Sequence, residues 1–143
     1  MNDNLLKNKT VLLTGAGKGI GRYLVDSLRE RGAFVYALTR SHTDLKNLNN
    51  KKNLKIFYGD VRNFKLIKKI FKDSQSSKNY INSVVNNAGV RQREKFTNLT
   101  QEKIKQVFDV NFFSIFEIMK TFAIFSKKNR LKGSIVNIGS IVG

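Results

Sequence analysis

The chain has 143 residues, with 27 Lys and Arg against 10 Asp and Glu, a net charge of +17, one His, and no Cys, Pro or Trp. That length suits a single domain (residues 1–143), and 41% hydrophobic residues including 11 Phe supply a core, which excludes wholesale disorder. The lack of Cys excludes a disulfide framework, a thiolate metal site and a thiol nucleophile; a lone His argues against any other metal centre, and none is expected.

The first nine residues, Met1 to Lys9, are polar and contain no signal-peptide hydrophobic segment. No stretch approaches the roughly 20 apolar residues of a membrane span. A cytoplasmic protein with no membrane partner is therefore expected. Thr10–Thr14 is a short apolar run ending in the cluster Gly15–Gly21, the pattern of a buried strand. Ile20, Leu24, Val25 and Leu28 then recur at helical spacing as far as Arg31, where Gly32 caps the helix. Ala33–Leu38 reads as a second strand ending near Thr39-Arg40, and Asp44–Leu48 as a short polar helix. Asn49–Asn53 has the composition of a turn. Leu54–Tyr58 reads as a third strand, Lys65–Lys72 as a helix, Ser74–Asn79 as a loop and Ile81–Val85 as a fourth strand. Thr100–Lys127 is predicted as the longest helix, capped by Thr100, and Ser134–Ile138 as a fifth strand. This alternation predicts an α/β protein: a Rossmann-type, doubly wound parallel sheet of five strands with helices on both faces.

In such sheets ligands bind beyond the carboxyl ends of the strands. The chain's small and polar residues gather there: Gly15–Gly21, Thr39-Arg40, Asp60, Asn86–Gly89 and Ser140. A glycine turn from strand to helix suits a pyrophosphate, because the backbone can approach closely and the helix N-terminus offers free N–H groups. The turn does not meet the strict G-x-G-x-x-G spacing, since Ile20 and Arg22 occupy the two possible third positions. It also lacks the Gly-Lys-Ser/Thr ending of a P-loop.

The end of the second strand selects the dinucleotide. An NAD site would place Asp or Glu there to accept from the ribose 2′-hydroxyl. This chain has Thr39 and Arg40, and a guanidinium binds a 2′-phosphate through paired hydrogen bonds, with Lys18 as a second cation. NADP(H) is expected over NAD(H); the alternative is two surface cations in a chain full of them. The excess charge itself is scattered rather than blocked, and comes with abundant Asn, Ile and Phe and no Pro, a bias that AT-rich codons explain. It therefore argues only weakly for a nucleic-acid partner.

On a wheel of 100° per residue, Asn111 falls between Ile118 and Phe122, on the core side of the long helix. A core Asn satisfied by local partners and a functional Asn both fit that position. Val110, Phe113 and Ile124 fall in the polar sector, so the helix is apolar nearly all round and is expected to be covered on more than one side.

Taken together, these residues resemble the N-terminal part of the short-chain dehydrogenase/reductase family. Thr14–Gly21 is similar to its TGxxxGIG cofactor turn, Asp60-Val61 to its adenine-contacting pair, Asn86–Gly89 to its NNAG motif, and Gly133–Ser140 to its GxIVNxxS segment. The resemblance runs from Lys9 to Gly143, with the motifs in the family's order. It implies cofactor contacts from Gly15, Lys18, Gly19, Ile20, Gly21, Thr39, Arg40, Asp60, Val61, Asn87, Ala88 and Gly89. It implies catalytic roles for Ser140, which orients the substrate carbonyl, and for Asn111, which holds its helix locally open and places a water of a proton relay. Lys18 with Thr39-Arg40 is similar to the arrangement in NADPH-using carbonyl, xylulose and 3-oxoacyl carrier-protein reductases. Family members commonly pair through the helix corresponding to Thr100–Lys127, so a homo-oligomer is expected.

The family's proton donor is the Tyr of a YxxxK motif. None of Tyr23, Tyr36, Tyr58 and Tyr80 is followed by Lys four residues on. The resemblance places that Tyr beyond Gly143, so the chain is expected to be the front of a carbonyl/alcohol reductase, inactive as it stands. The alternatives are a non-catalytic NADP(H)-binding short protein and a basic nucleic-acid-binding protein. Arg91 and Arg93 would favour an acidic substrate only weakly, and His42 is expected at the surface.

Overall fold

A computed structural model describes residues 4–48 and 51–140. Five strands, β1 (Thr10–Thr14), β2 (Phe34–Thr39), β3 (Leu54–Tyr58), β4 (Ser83–Asn86) and β5 (Ser134–Asn137), form one parallel sheet in the order β3-β2-β1-β4-β5. The chain winds outward from β1 to β3, returns beside β1 as β4 and continues to β5. Its direction therefore reverses between β1 and β4, where open α/β sheets carry their ligands. Leu12 aligns with Tyr36 and Val84, and Leu13 with Ala37 and Val85, so successive residues send matched rows to opposite faces.

Those two rows build two cores. Leu12, Tyr36, Leu38 and Val84 pack with Ile67, Ile70, Phe71, Ile118 and Phe122 on one face. Leu13, Val35 and Ala37 pack with Val25, Leu45 and Leu48 on the other. The first face is covered by α2 (Phe64–Ser76) and α4 (Ser114–Lys128), the second by α1 (Gly19–Glu30). The doubly wound arrangement read from the alternation is the one observed. Asn49 and Asn50 of the expected turn lie outside the described residues.

Three elements differ from the sequence reading. The second helix runs on to Ser76 where Ser and Gln suggested a loop. The hydroxyls of Ser74, Ser76 and Ser77 donate to the carbonyls of Phe71, Lys72 and Asp73, so residues that favour loops here bond back onto the helix. The fourth strand starts at Ser83, not Ile81; just ahead of it the side-chain amide of Asn82 accepts from the Thr10 N–H and donates to the Asn8 carbonyl. The long helix is not uniform: α3 (Gln101–Phe108) and α4 are joined by a π-helical segment, Asp109–Phe113.

Candidate functional site

A cleft of about 430 Å³ opens across the carboxyl ends of β1 to β4. Of the twelve residues expected to contact a cofactor, all but Gly19 line it: Gly15, Lys18, Ile20, Gly21, Thr39, Arg40, Asp60, Val61, Asn87, Ala88 and Gly89. Gly19 lies between two of them. Ile20, expected on the apolar face of the first helix, is instead exposed at the cleft.

The turn from β1 to α1 has the geometry of an anion cradle. Gly15 has φ of +64°, and a Cβ on it would strike the backbone of Ala88. A Cβ on Gly21 would strike the carbonyl of Gly15, so the first turn of α1 lies directly against the loop. The helix N-terminus itself is bare. Lys18 provides no side-chain cap, and the first turn has no acidic residue. Both helices with ordinary caps differ in this: Asn63 accepts from the Leu66 N–H on α2, and Thr100 from the Lys103 N–H on α3. The N–H groups at the start of α1 are thus left for an anionic ligand.

The floor is fixed by Thr14, which the sequence marked only as the first residue of the glycine-turn motif and not as a contact. The Thr14 hydroxyl oxygen accepts from the backbone N–H groups of Asn87, at 3.1 Å, and Ala88, at 3.0 Å. Asn87 returns two bonds through its side-chain amide, to the carbonyls of Thr14 and Gly15. The carboxyl ends of β1 and β4 are therefore stitched together where Asn87–Gly89 enter the cleft.

At the other end, Arg40 follows β2 and Asp60 follows β3, with the Gly59 N–H bonded to the Thr39 carbonyl between them. Arg62 grips Asp60 with Nε on Oδ1 and Nη2 on Oδ2, each at 2.9 Å, and its backbone N–H reaches Oδ1 at the same distance. The hydrogen-bonded Arg62 guanidinium holds the Asp60 carboxyl below the usual carboxylate range, and Arg40 adds a smaller pull of the same sign. Ser41 and Asp44 line the same end, and neither had a motif to mark it. Asp44 and the Thr39 hydroxyl lie so close to Gly17 that a Cβ there would meet both. His42 is exposed, as expected, and stacks on Tyr58 with ring centroids 4.0 Å apart.

The residues expected to do chemistry lie outside the cleft wall. Asn111 is exposed and does not point to the core, contrary to the wheel. The π-helical turn explains this. The Ser114 N–H bonds the Asp109 carbonyl five residues back, and the Ser114 hydroxyl takes the Val110 carbonyl instead, at 2.6 Å. Each residue in this wider turn advances by less than 100°, so Val110 keeps to the buried stripe with Ser114, Ile118 and Phe122 while Asn111 is carried off it. Its amide then brackets Val90, accepting the Val90 N–H at 2.9 Å and donating to the Val90 carbonyl at 2.7 Å. Val90 lines the cleft, so Asn111 secures the strand-end loop that forms one wall. Ser140 is exposed, three residues beyond β5.

The family model for short chain dehydrogenases matches residues 9–143. The chain belongs to the short-chain dehydrogenase family. It is 32% identical over 144 residues to a ketoacyl reductase of Nostoc sp., covering 96% of this chain and 50% of that protein. It is 33% identical over 132 residues to carbonyl reductase (NADPH) 2 of Sus scrofa, covering 92% of this chain and 52% of that protein. A short-chain dehydrogenase from Leptospira borgpetersenii, solved with bound NAD+, superposes with a TM-score of 0.83 at 30% identity, over 93% of this chain and 52% of that one. The chain spans about half the length of these relatives. The fold is the Rossmann fold of this family, whose members are oxidoreductases that bind nicotinamide cofactors.

Among the described residues, no helix is long and apolar enough to cross a membrane, and no group of His, Cys, Asp and Glu could hold a metal ion.

Proposed function

We propose that this chain is the cofactor-binding part of an NADP(H)-dependent oxidoreductase that interconverts a carbonyl and an alcohol. The observation that carries the reading is the bare N-terminus of α1, opening into a cleft where β2 ends in Thr39-Arg40 with Lys18 beside it, and no carboxylate ends that strand. A dinucleotide fits these residues: its pyrophosphate on the backbone of Gly15–Gly21, its adenine against Asp60 and Val61, its 2′-phosphate on Arg40 and Lys18. Asn87, Ala88 and Gly89 would face the nicotinamide end. When bound, the nicotinamide supplies or accepts a hydride. Asn111 would anchor the Val90 wall and a proton-relay water, and Ser140 would orient the substrate carbonyl. Neither side chain is a proton donor of suitable acidity, and the chain contains no Tyr-x-x-x-Lys, so these 143 residues expressed alone should bind cofactor without turning over substrate.

The name of the pig relative specifies NADPH, in keeping with this reading. Replacing Arg40 with Asp tests it. Calorimetric titration should show NADP+ affinity falling and NAD+ affinity holding or rising, reversing the preference; unchanged affinities for both would refute the assignment of Arg40.

NAD(H) is the second reading, and Asp44 favours it. This carboxylate lies at the Arg40 end of the cleft, where it could accept from a ribose 2′-hydroxyl. Under that reading Asp44→Asn weakens NAD+ binding and Arg40→Asp changes little.

The same proposal includes self-association through α3 and α4, and residence in the cytoplasm. Ile104, Phe108, Phe112, Phe113, Phe116 and Ile124 are all exposed along these elements, Phe112 by 58% and Ile124 by 61%. An apolar surface of this extent on one helical rod suits a protein interface.

A further inference from the structure

The cleft contains a charge problem that Arg62 solves. Asp60 is one residue beyond Gly59, whose N–H bonds the Thr39 carbonyl, and Arg40 directly follows Thr39. A carboxylate and the phosphate-binding guanidinium are therefore neighbours at the ends of adjacent strands, in one cleft. Left alone, Asp60 would compete with a ligand phosphate for Arg40.

Arg62 removes that competition. Its fork takes both carboxylate oxygens of Asp60, and its backbone N–H takes one of them again. Three of the four lone-pair positions of the carboxylate are thus filled, and one on Oδ2 stays open. Two other carboxylates line the pocket on the Arg62 side, and each has a lysine partner: Asp109 is held by Lys105 at 2.8 Å and Glu117 pairs with Lys120 at 3.9 Å. Arg62 is therefore committed to Asp60 in a planar, paired geometry that Lys could not reproduce.

We propose that Arg62 is a specificity-determining positioning residue: by occupying Asp60 it leaves Arg40 available to the cofactor's 2′-phosphate, and fixes the carboxylate so that its open lone pair can accept from the adenine amino group. Arg62 does not touch the 2′-phosphate. This rests on the NADP(H) reading above. Its consequence is that selectivity between NADP+ and NAD+ depends on a residue two positions beyond the adenine contact.

The test is calorimetric titration of NADP+ and NAD+ into the wild-type chain, Arg62→Gln, and Asp60→Asn with Arg62→Gln. Adenine contacts are common to both ligands, so their loss cancels in the affinity ratio. Freeing Asp60 should cost about tenfold in the NADP+ to NAD+ ratio of Arg62→Gln, the scale of one charge-assisted contact. The double variant has no carboxylate to capture Arg40, and its ratio should return towards wild type. A ratio unmoved by Arg62→Gln overturns the proposal. A loss that the double variant does not restore also overturns it, because Arg62 would then contact the phosphate itself. A wild-type chain with no NADP+ preference overturns the NADP(H) reading and this proposal together, which separates that failure from the other two.

Discussion

Thr14 shows how much one hydroxyl can hold. It is buried, and its oxygen accepts the N–H groups of both Asn87 and Ala88 at the base of the cleft. Thr14→Val keeps the shape and strands both donors, each costing about 1–3 kcal/mol when left unpaired. Thermal unfolding should show a clear loss of stability for Thr14→Val and little for Thr14→Ser; equal losses would mean the methyl, not the hydroxyl, matters. Asp60 carries a pH signature. Its folded carboxyl titrates below the ordinary value of 3.8, chiefly through the Arg62 hydrogen bonds, so it stabilises the folded state above that pH. That contribution disappears as the pH falls through the lower, folded value. Asp60→Asn should flatten this part of the acid-unfolding curve, and Arg62→Gln should move the carboxyl's titration, followed by NMR, back up towards 3.8. Gly15, Arg40 and Asp60 are legible in the sequence because each closely follows an apolar run, and Lys18 because it lies inside the glycine turn. Thr14 as a keystone, Asp44 and the Arg62 fork were not, because their roles depend on which strand ends meet in space.

At the scale of elements, helix and strand periodicity located every strand to within a residue or two. It missed the π-helical turn, because a wheel of constant angle cannot register a change of pitch. Asn111 is where that matters: drawn as an α-helical residue it faces the core, and in the wider turn it holds Val90 instead. Asn111→Ala removes both bonds to Val90, and hydrogen exchange should quicken at the Val90 amide. The same rod carries the exposed Phe112, Phe116 and Ile124. If α3 and α4 form an interface, sedimentation at micromolar concentration should show a dimer or larger, and Phe112→Lys with Phe116→Lys should reduce it to a monomer. A wild-type monomer under those conditions would count against the interface.

Across the whole molecule, β5 forms an edge of the sheet among the described residues. β5 pairs with β4 on one side, and all four of its residues are exposed, with Ile135 and Val136 presenting apolar side chains. An exposed apolar edge strand invites pairing with another chain. The 143-residue chain on its own should therefore aggregate more readily than its charge of +17 suggests, and Val136→Lys should raise its solubility. Charge and composition could not locate the site, since cations are spread over the chain. The order of the strands could, because it puts the reversal of the sheet beside the uncapped helix α1.

A nicotinamide dinucleotide is expected to bind at this reversal. The most direct measurement is a two-dimensional amide NMR titration of the chain with NADP+. Saturable shifts should be concentrated at Gly15–Gly21, Arg40–Ser41, Gly59–Val61 and Asn87–Val90. No saturable change, or shifts confined to the lysine-rich surface of α2 and abolished by salt, would contradict the account.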